Sequence, residues 1–599
     1  MLIRQKLVPA LLFLAALGMS LAASASRAAD EPALAAGGER SAEDAAFAEF
    51  SQAWLMAWLD RNPEWSIYAG RYDQADRVTI PDAAYRQGEL DFVADSLAAL
   101  QKFDPETLSP AYRIDHALIE HRLKGQRWSL TEFRGYEWMP SSYNVAGPIG
   151  LLLNTPYAPE EARLATVMAR LEQVPAYYRA ARDNIRMPTR EHIELAVIQN
   201  RGALALLGDS LASKVEASTL SDDDKARFES RRTAAVKAVE EWIGWLQALD
   251  AELAASEDFR SFRIGETLYE QKFRYDIQSG FTAREMYERA VSEKHRLHAM
   301  MDEIAVQLWP KYFPGQAPPD DRLERIGRLV DHLSATHVAR DEFIDEIKRQ
   351  IPLLEAFVRE HDLLEQDPSR PLVVRETPLY MRGGGAGASV SAPGPFNPTA
   401  DTYYNVTPLD DYSDEQAASY LREYNHWVLQ ILNIHEAIPG HYTQLLHANK
   451  SPSLVKSLLR NGAMIEGWAV YAERMMLEAG WGDDEPEMWL MYGKWNLRVV
   501  TNAILDYAVH VLGMEEDEAM DLLRRQAFQE ATEAANKWRR VKLSQVQLTS
   551  YFTGYAEIYD FRERYKAARG EDFALRAFHD QFLSYGNAPV PAIVELMQE

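Results

Sequence analysis

Most of the chain shows the hydrophobic spacing of amphipathic helices. Through residues 45–364, apolar side chains recur at intervals of three and four with charged side chains between them, most clearly at 161–184 and 222–254. This spacing places the apolar side chains on one face of each helix, where neighbouring helices can share a core. The same periodicity returns at 414–569 and is followed by a short helix and a proline-containing tail. The pattern predicts a mainly α, large helical fold.

The helical pattern is interrupted near residues 370–408. Segments 372–374 and 402–406 are rich in valine and tyrosine, which favour strands, whereas the glycines and prolines between them disfavour helix. We therefore expect a small β-element, with a loop that carries the glycine-rich run 382–387. No lysine and hydroxyl residue follow this run as they do in a phosphate-binding loop, so it is either a lid over a site or a connector.

The first 29 residues have the layout of a secretory signal peptide. A positively charged start precedes an apolar stretch at 7–22, and small residues follow at 23–29. We expect cleavage of 1–29 and a periplasmic or secreted mature protein. No later apolar run is long enough to span a bilayer, so no membrane association is expected after cleavage.

Composition restricts the function further. The 599 residues include 64 Lys and Arg, 90 Asp and Glu and no cysteine, which gives a formal charge of −26. The acid excess disfavours nucleic-acid partners and anionic membranes, whose phosphates attract cations. Without cysteine, disulfides, thiol nucleophiles, iron–sulfur clusters and lipid attachment through an N-terminal cysteine are excluded. Any bound metal needs histidine and carboxylate ligands.

One segment combines two histidines, a carboxylate and a helix breaker. It is His435-Glu436-Ala437-Ile438-Pro439-Gly440-His441, at the end of an apolar, helix-like run. In the zinc-peptidase pattern HExxH, the histidines lie four residues apart on one helical face. A separation of six on a straight helix places them about 240° apart, so a kink is needed for convergence. Pro439 lacks an amide donor and Gly440 tolerates unusual backbone, which predicts that kink. The alternative is that Pro-Gly ends one helix and starts another, with both histidines as ordinary flanking residues.

A second segment supplies a further carboxylate. Glu466 lies about one helix length beyond His441, at the start of the helix-like stretch 466–473. A glutamate on a mostly apolar helix is costly unless it is paired or metal-bound. His435, His441 and Glu466 would leave a fourth position open for water, as in catalytic zinc sites. These residues predict one Zn²⁺ ion.

The two long motifs resemble those of a known family. HExxPGHxxQ at 435–444 and EGWAxYxE at 466–473 resemble the bacterial domain-of-unknown-function 885 family, which is similar to helical zinc peptidases of the gluzincin type. Shorter matches at 403–405, 506–510, 550–554 and 586–589 extend the resemblance over most of the chain. The resemblance implies that His435, His441 and Glu466 hold zinc and that Glu436 is the general base. The two-residue insertion between the histidines departs from the gluzincin pattern, so the ring direction of His441 depends on the kink.

The implied reaction also needs groups around the metal. Zinc would lower the pKa of a bound water, Glu436 would take its proton, and the hydroxide would attack a peptide carbonyl. Tyr551 is the first candidate for the oxyanion donor, because the gluzincin-like peptidases place a tyrosine late in the chain, and His510 is the second. Asp506, one turn before His510, would orient His510 or a zinc ligand. Glu473 is expected to support a zinc ligand without binding the metal itself. The alternatives are a local surface pair for Asp506 and His510 and an aromatic core residue for Tyr551.

Substrate contacts are expected in the β-element. Tyr403, Tyr404 and Asn405 lie in 402–406, which could pair with an extended substrate as an added edge strand. Arg382 and Arg498 could each meet a substrate carboxylate, and the sequence selects neither.

Taken together, the residues favour a zinc metallopeptidase that acts on peptides or small amide substrates. In this interpretation 30–366 is a helical part that walls the cleft and 367–599 is the catalytic part, both in one continuous structural unit. Two alternatives stay open: a zinc hydrolase of a non-peptide amide or ester, and a non-catalytic helical periplasmic binding protein with a degenerate metal site. The oligomeric state is not indicated by the sequence.

Overall fold

Helices dominate the computed structural model, which describes residues 41–378, 387–398, 400–410 and 412–598. The helices before the β-element are α1 (Ala42–Arg61), α2 (Pro63–Tyr68), α3 (Ala83–Leu100), α4 (Pro110–Trp128), α5 (Ala146–Asn154), α6 (Glu160–Asn184), α7 (Arg190–Leu206), α8 (Asp209–Ala217), α9 (Asp222–Ser256), α10 (Gly265–Asp276), α11 (Ala283–Tyr312), α12 (Arg322–Ser334) and α13 (Phe343–Glu360). The two clearest amphipathic segments are confirmed as α6 and α9.

The helices after the β-element carry both long motifs. They are α14 (Asp414–Glu423), α15 (His426–Glu436), α16 (His441–Asn449), α17 (Leu454–Leu458), α18 (Gly462–Glu478), α19 (Pro486–Tyr507), α20 (Glu516–Met520), α21 (Ala531–Leu543), α22 (Ser550–Arg569), α23 (Leu575–Ser584) and α24 (Val590–Gln598). Short 3₁₀ or π segments occupy Pro105–Thr107, Ser129–Phe133, Gly135–Glu137, Pro140–Ser142, Arg340–Glu342, Ala508–Leu512, Asp521–Gln526, Gln547–Thr549 and Gly570–Asp572.

A three-stranded sheet interrupts the helices, as the sequence predicts. Its strands are β1 (Leu372–Glu376), β2 (Ala388–Ser391) and β3 (Thr402–Val406), in the order β1-β3-β2. β3 runs parallel to β1 and antiparallel to β2. The mainly α fold with a small β-element is confirmed. The expected signal peptide at 1–29 and most of the glycine-rich run, 382–386, lie outside the described residues.

The apolar side chains form two hydrophobic cores. The smaller core uses residues between 67 and 246, mainly from α5 to α9, and the larger core joins α1, α3 and α4 with α10 to α24. All described residues fall within one compact unit, Arg40–Glu599. In the described part of the chain, no helix is long and apolar enough to cross a membrane.

A glycine contact brings α18 and α22 unusually close together. A Cβ at Gly554 would overlap the carbonyl oxygen of Ala463, and a Cβ at Gly467 would overlap the backbone of Gly554. The two backbones therefore touch, with no side chain between them. Because Glu466 precedes Gly467 and Tyr551 lies one turn before Gly554, this contact sets the distance between two candidate site residues.

Replacing one of these glycines should destabilise the fold. We expect Gly554→Ala to lower the free energy of unfolding in urea by about 3 kcal/mol, since the methyl group forces two packed backbones apart. Gly462→Ala is the matched control: a Cβ there would meet nothing within 4 Å, so alanine should be neutral or slightly stabilising in α18. Equal stabilities for the two variants would contradict the close contact.

Candidate metal centre

The two histidines of the first motif lie on separate helices. α15 ends at Glu436 and α16 begins at His441, so the predicted break ends the helix instead of bending it. The Gly440 amide donates to the Ile434 carbonyl at 2.9 Å, which turns the chain back over the end of α15. A Cβ at Gly440 would overlap the carbonyl oxygen of His435, so this tight return requires glycine.

The return brings the two imidazoles together beside Glu466. The ring centroids of His435 and His441 lie 4.8 Å apart, and their Nε2 atoms lie 3.8 and 3.3 Å from Glu466 Oε2. One ligand atom from each of the three residues lies within 4.8 Å of the other two. Ligand atoms around a tetrahedral zinc with bonds near 2.0–2.2 Å are about 3.3 Å apart, so the donor set and its spacing fit zinc.

A buried carboxylate orients the first histidine. Glu473 Oε1 lies 2.7 Å from His435 Nδ1, and the Glu473 side chain is fully buried. With its Nδ1–H donated to Glu473, His435 turns Nε2 toward Glu466, and Nε2 is the atom through which it would bind a metal. The sequence predicts that Glu473 supports a metal ligand, and the structure places its carboxylate against the candidate ligand His435.

The cluster also has the electrostatics of a cation site. Burial opposes the charged form of His435, yet Glu466 and Glu473 raise the pKa of this imidazole well above its usual value. Burial likewise opposes ionisation of Glu466, yet His441 and His435 hold the pKa of its carboxyl well below the usual range. The Glu466 carboxylate therefore draws positive charge to the point where the two Nε2 atoms converge.

The cluster opens into a cavity of about 640 Å³. Glu436 lines it, and its carboxylate makes no hydrogen bond or ion pair with any described residue. Most of the wall comes from 387–551, and the N-terminal part contributes Leu195 and Gln199 of α7. Glu436 is thus free to act on a molecule beside the cluster.

Tyr551 lies on the same cavity wall. Its ring stacks on His435 with centroids 6.4 Å apart. Arg540 donates to the Tyr551 hydroxyl oxygen at 3.0 Å and to Gln547 Oε1 at 2.7 Å. Because the hydroxyl oxygen accepts from Arg540, the Tyr551 proton remains available to a second acceptor.

Comparison with known proteins places the chain in a family. A family model described as "Bacterial protein of unknown function (DUF885)" matches residues 63–597. The chain belongs to the DUF885 family. No curated protein matches it.

Two solved structures resemble this DUF885 chain. A candidate lipoprotein of unknown function from Shewanella oneidensis is 53% identical, with a TM-score of 0.82, covering 92% of this chain and 100% of that one. A candidate lipoprotein from Colwellia psychrerythraea has a TM-score of 0.74 at 16% identity, covering 93% of this chain and 98% of that one. At that low identity, the Colwellia structure shows a shared fold alone.

His510 of the DUF885 chain lies away from the cavity, which corrects its prediction as an oxyanion donor. The side chain is 2% exposed, and its Nε2 lies 2.9 Å from the Val541 carbonyl oxygen, to which it must donate. Burial lowers the pKa of His510 to about 4 and so keeps the ring neutral. Its one N–H is therefore already committed to the backbone.

Asp506 does not orient His510, which is also a correction. The Asp506 carboxylate accepts from the backbone amides of Val546, Leu548 and Thr549 at 3.1, 2.9 and 3.3 Å, whereas His510 Nε2 lies 3.8 Å away. These amides belong to the turn that leads into α22. Asp506 therefore fixes the start of the helix that carries Tyr551, and it does not contact a zinc ligand.

The predicted substrate strand is the centre of the sheet, so its assignment as an edge strand is wrong. β3 is paired on both sides, and none of Tyr403, Tyr404 and Asn405 lines the cavity. The Tyr404 hydroxyl donates to Asn433 Oδ1 at 2.9 Å, and Arg375 donates to Asn405 Oδ1 at 2.7 Å. Tyr404 therefore ties the sheet to α15 and Asn405 links β3 to β1, while residues of β2 line the cavity.

Sequence reasoning missed the polar face of α21. Four polar residues of this helix line the cavity: Glu533, Asn536, Lys537 and Arg540. Their spacing of three and four positions is the sequence pattern that could have indicated a shared face. The same spacing is typical of a solvated helix face, so it does not by itself predict a site.

Removing Glu473 should weaken metal binding by the DUF885 chain. We expect Glu473→Ala to reduce zinc affinity about 10- to 100-fold, because His435 loses the acceptor that holds its tautomer and ring direction. Competition with a coloured chelator measures this affinity. Glu473→Gln keeps an acceptor and should lose less, and the exposed Glu485→Gln should match the wild type. Unchanged affinity in Glu473→Ala would show that this carboxylate has no part in metal binding.

Proposed function

We propose that this chain is an exported, zinc-dependent metallopeptidase. The observation that carries the proposal is the convergence of His435, His441 and Glu466 beside the free carboxylate of Glu436, inside a cavity. Zinc held by these three residues would supply a Lewis acid that activates water and polarises a carbonyl. The cavity volume lies in the range of small-ligand sites, which suits a short peptide better than a folded protein.

The chain's own residues divide the remaining work. Glu436 accepts a proton from the attacking water and delivers it to the leaving amine. Tyr551, whose hydroxyl is held by Arg540, donates its proton in a hydrogen bond to the developing oxyanion. Glu473 keeps His435 in the tautomer that leaves Nε2 free.

The substrate backbone has a proposed partner in β2. Among the described residues β2 is an edge strand, because only β3 pairs with it, and 388–390 line the cavity. An extended peptide that adds to this edge would be held through main-chain hydrogen bonds, with little demand on side-chain identity. The proposed edge for substrate pairing is therefore β2 and not β3.

Export is supported by a relative as well as by the N-terminal pattern. The Shewanella protein, 53% identical to this chain, is described as a candidate lipoprotein, a class of exported protein. This chain contains no cysteine, so we propose that it is released by signal cleavage and not held by a lipid on an N-terminal cysteine.

The proposal predicts a separation of metal binding from turnover. We expect Glu436→Gln to lower peptide hydrolysis by at least about 100-fold while zinc stays stoichiometric, because the amide cannot accept the proton but is not a ligand. Zinc-loaded wild type and variant are incubated with a mixed peptide library, and mass spectrometry identifies the new termini.

The other outcomes discriminate between functions. Equal peptide turnover in Glu436→Gln would remove Glu436 as the base. Stoichiometric zinc with turnover of esters or non-peptide amides alone would favour the hydrolase alternative. A protein that takes up no zinc and is unchanged by chelators would favour a binding protein.

A further inference from the structure

The cavity carries a charge opposite to that of the whole protein. The chain has a formal charge of −26. Five cationic side chains line the cavity against three carboxylates; the cations are Arg460, Arg498, Lys537, Arg539 and Arg540, and the carboxylates are Glu436, Glu466 and Glu533. Such a local excess of cations in an acidic protein favours an anionic group on the bound molecule.

Two of these side chains share one carboxylate, that of Glu533, and burial lowers the pKa of Lys537 well below its usual value. Arg498 Nη2 lies 2.7 Å from Glu533 Oε1, and Lys537 Nζ lies 3.7 Å from the same oxygen. Arg498, one of the two arginines suggested by the sequence, is therefore occupied. The other, Arg382, lies outside the described residues.

Three arginines form no hydrogen bond or ion pair with a carboxylate among the described residues, and we call Arg460, Arg539 and Arg540 the free arginines. Arg540 donates only to the neutral groups of Gln547 and Tyr551. Arg460 and Arg539 are exposed and make no hydrogen bond or ion pair with any described residue.

Two of the free arginines lie beside the cluster of His435, His441 and Glu466, and Arg539 lines the same cavity. Arg460 comes just before α18 and interacts electrostatically with Glu466. Arg540 lies 3.0 Å from the hydroxyl of Tyr551, whose ring stacks on His435. A molecule beside the cluster therefore meets guanidinium groups, which bind carboxylates with paired, charge-assisted hydrogen bonds.

We propose that the substrate is a peptide with a free carboxylate, which the free arginines bind while the scissile amide faces Glu436. This inference rests on the proposed metallopeptidase function and adds its substrate class. The carboxylate can come from the C-terminus of the peptide or from an aspartate or glutamate side chain, and both have the same chemistry.

Peptide binding to zinc-loaded Glu436→Gln protein tests the proposal without turnover. Four versions of one short peptide are compared by calorimetry: a neutral sequence as free acid, the same sequence as C-terminal amide, and amides with one Gln or one Glu. We expect at least one carboxylate peptide to bind about tenfold or more tightly than its neutral counterpart. Preference for the free acid identifies the C-terminus as the source, and preference for Glu over Gln identifies the side chain.

Variants of the arginines then locate the contact. Arg460→Gln and Arg539→Gln are used, because Arg540 also holds Tyr551. We expect one or both to raise KM for the carboxylate peptide about tenfold, with kcat within about threefold and the neutral peptide unaffected. Arg564→Gln, at an exposed arginine of α22 outside the cavity, is the matched control and should match the wild type.

Failure of this inference and failure of the proposed function give different results. Equal binding of charged and neutral peptides, or an unchanged KM in both arginine variants, would overturn carboxylate recognition while hydrolysis persists. If zinc-loaded wild type cleaves no peptide, the metallopeptidase proposal fails, and the calorimetry still reads carboxylate selectivity on its own.

Discussion

The candidate site depends on one steric constraint, the tight return of the chain at Gly440. His441 follows His435 at a spacing of six positions, and a continuous helix would turn their rings apart. The return is possible because Gly440 has no Cβ to meet the carbonyl of His435 and because its amide replaces a helical hydrogen bond. The two extra residues between the histidines provide the length needed for the return. Gly440, which has no Cβ, allows the backbone to fold back over the end of α15.

A second contact without side chains holds the other half of the site. Gly467 and Gly554 let α18 and α22 touch, so Glu466 and Glu473 on one helix and Tyr551 on the other keep a fixed separation. Asp506 reinforces this arrangement, since it holds the turn from which α22 starts. Backbone contacts thus position both α18 and α22. Such contacts are less tolerant of substitution than contacts between flexible side chains.

The parts of this structure that follow from local spacing are predictable from the sequence. Amphipathic helices, the broken helix at Pro439 and the family motifs need only residues near one another in the chain. The order of the strands cannot be predicted in this way, because the residues of 402–406 do not reveal that a strand pairs with each of its two edges. His510 and Asp506 show the same limit: a spacing of four indicates that two side chains share a face, but the fold decides where that face points. The polar residues of α21 that line the cavity have the spacing of a solvated helix face, so their spacing alone does not show that they point into the cavity.

The cavity lies where two separate hydrophobic cores meet. The metal cluster belongs to helices of the larger core, whereas Leu195 and Gln199 come from α7, which packs in the smaller one. One side of the chamber wall therefore comes from a part of the chain that is distant in sequence from the residues of the cluster. Substitutions on the cavity face of α7 can therefore alter the size of molecule that the chamber admits without disturbing the packing that holds His435, His441 and Glu466 together.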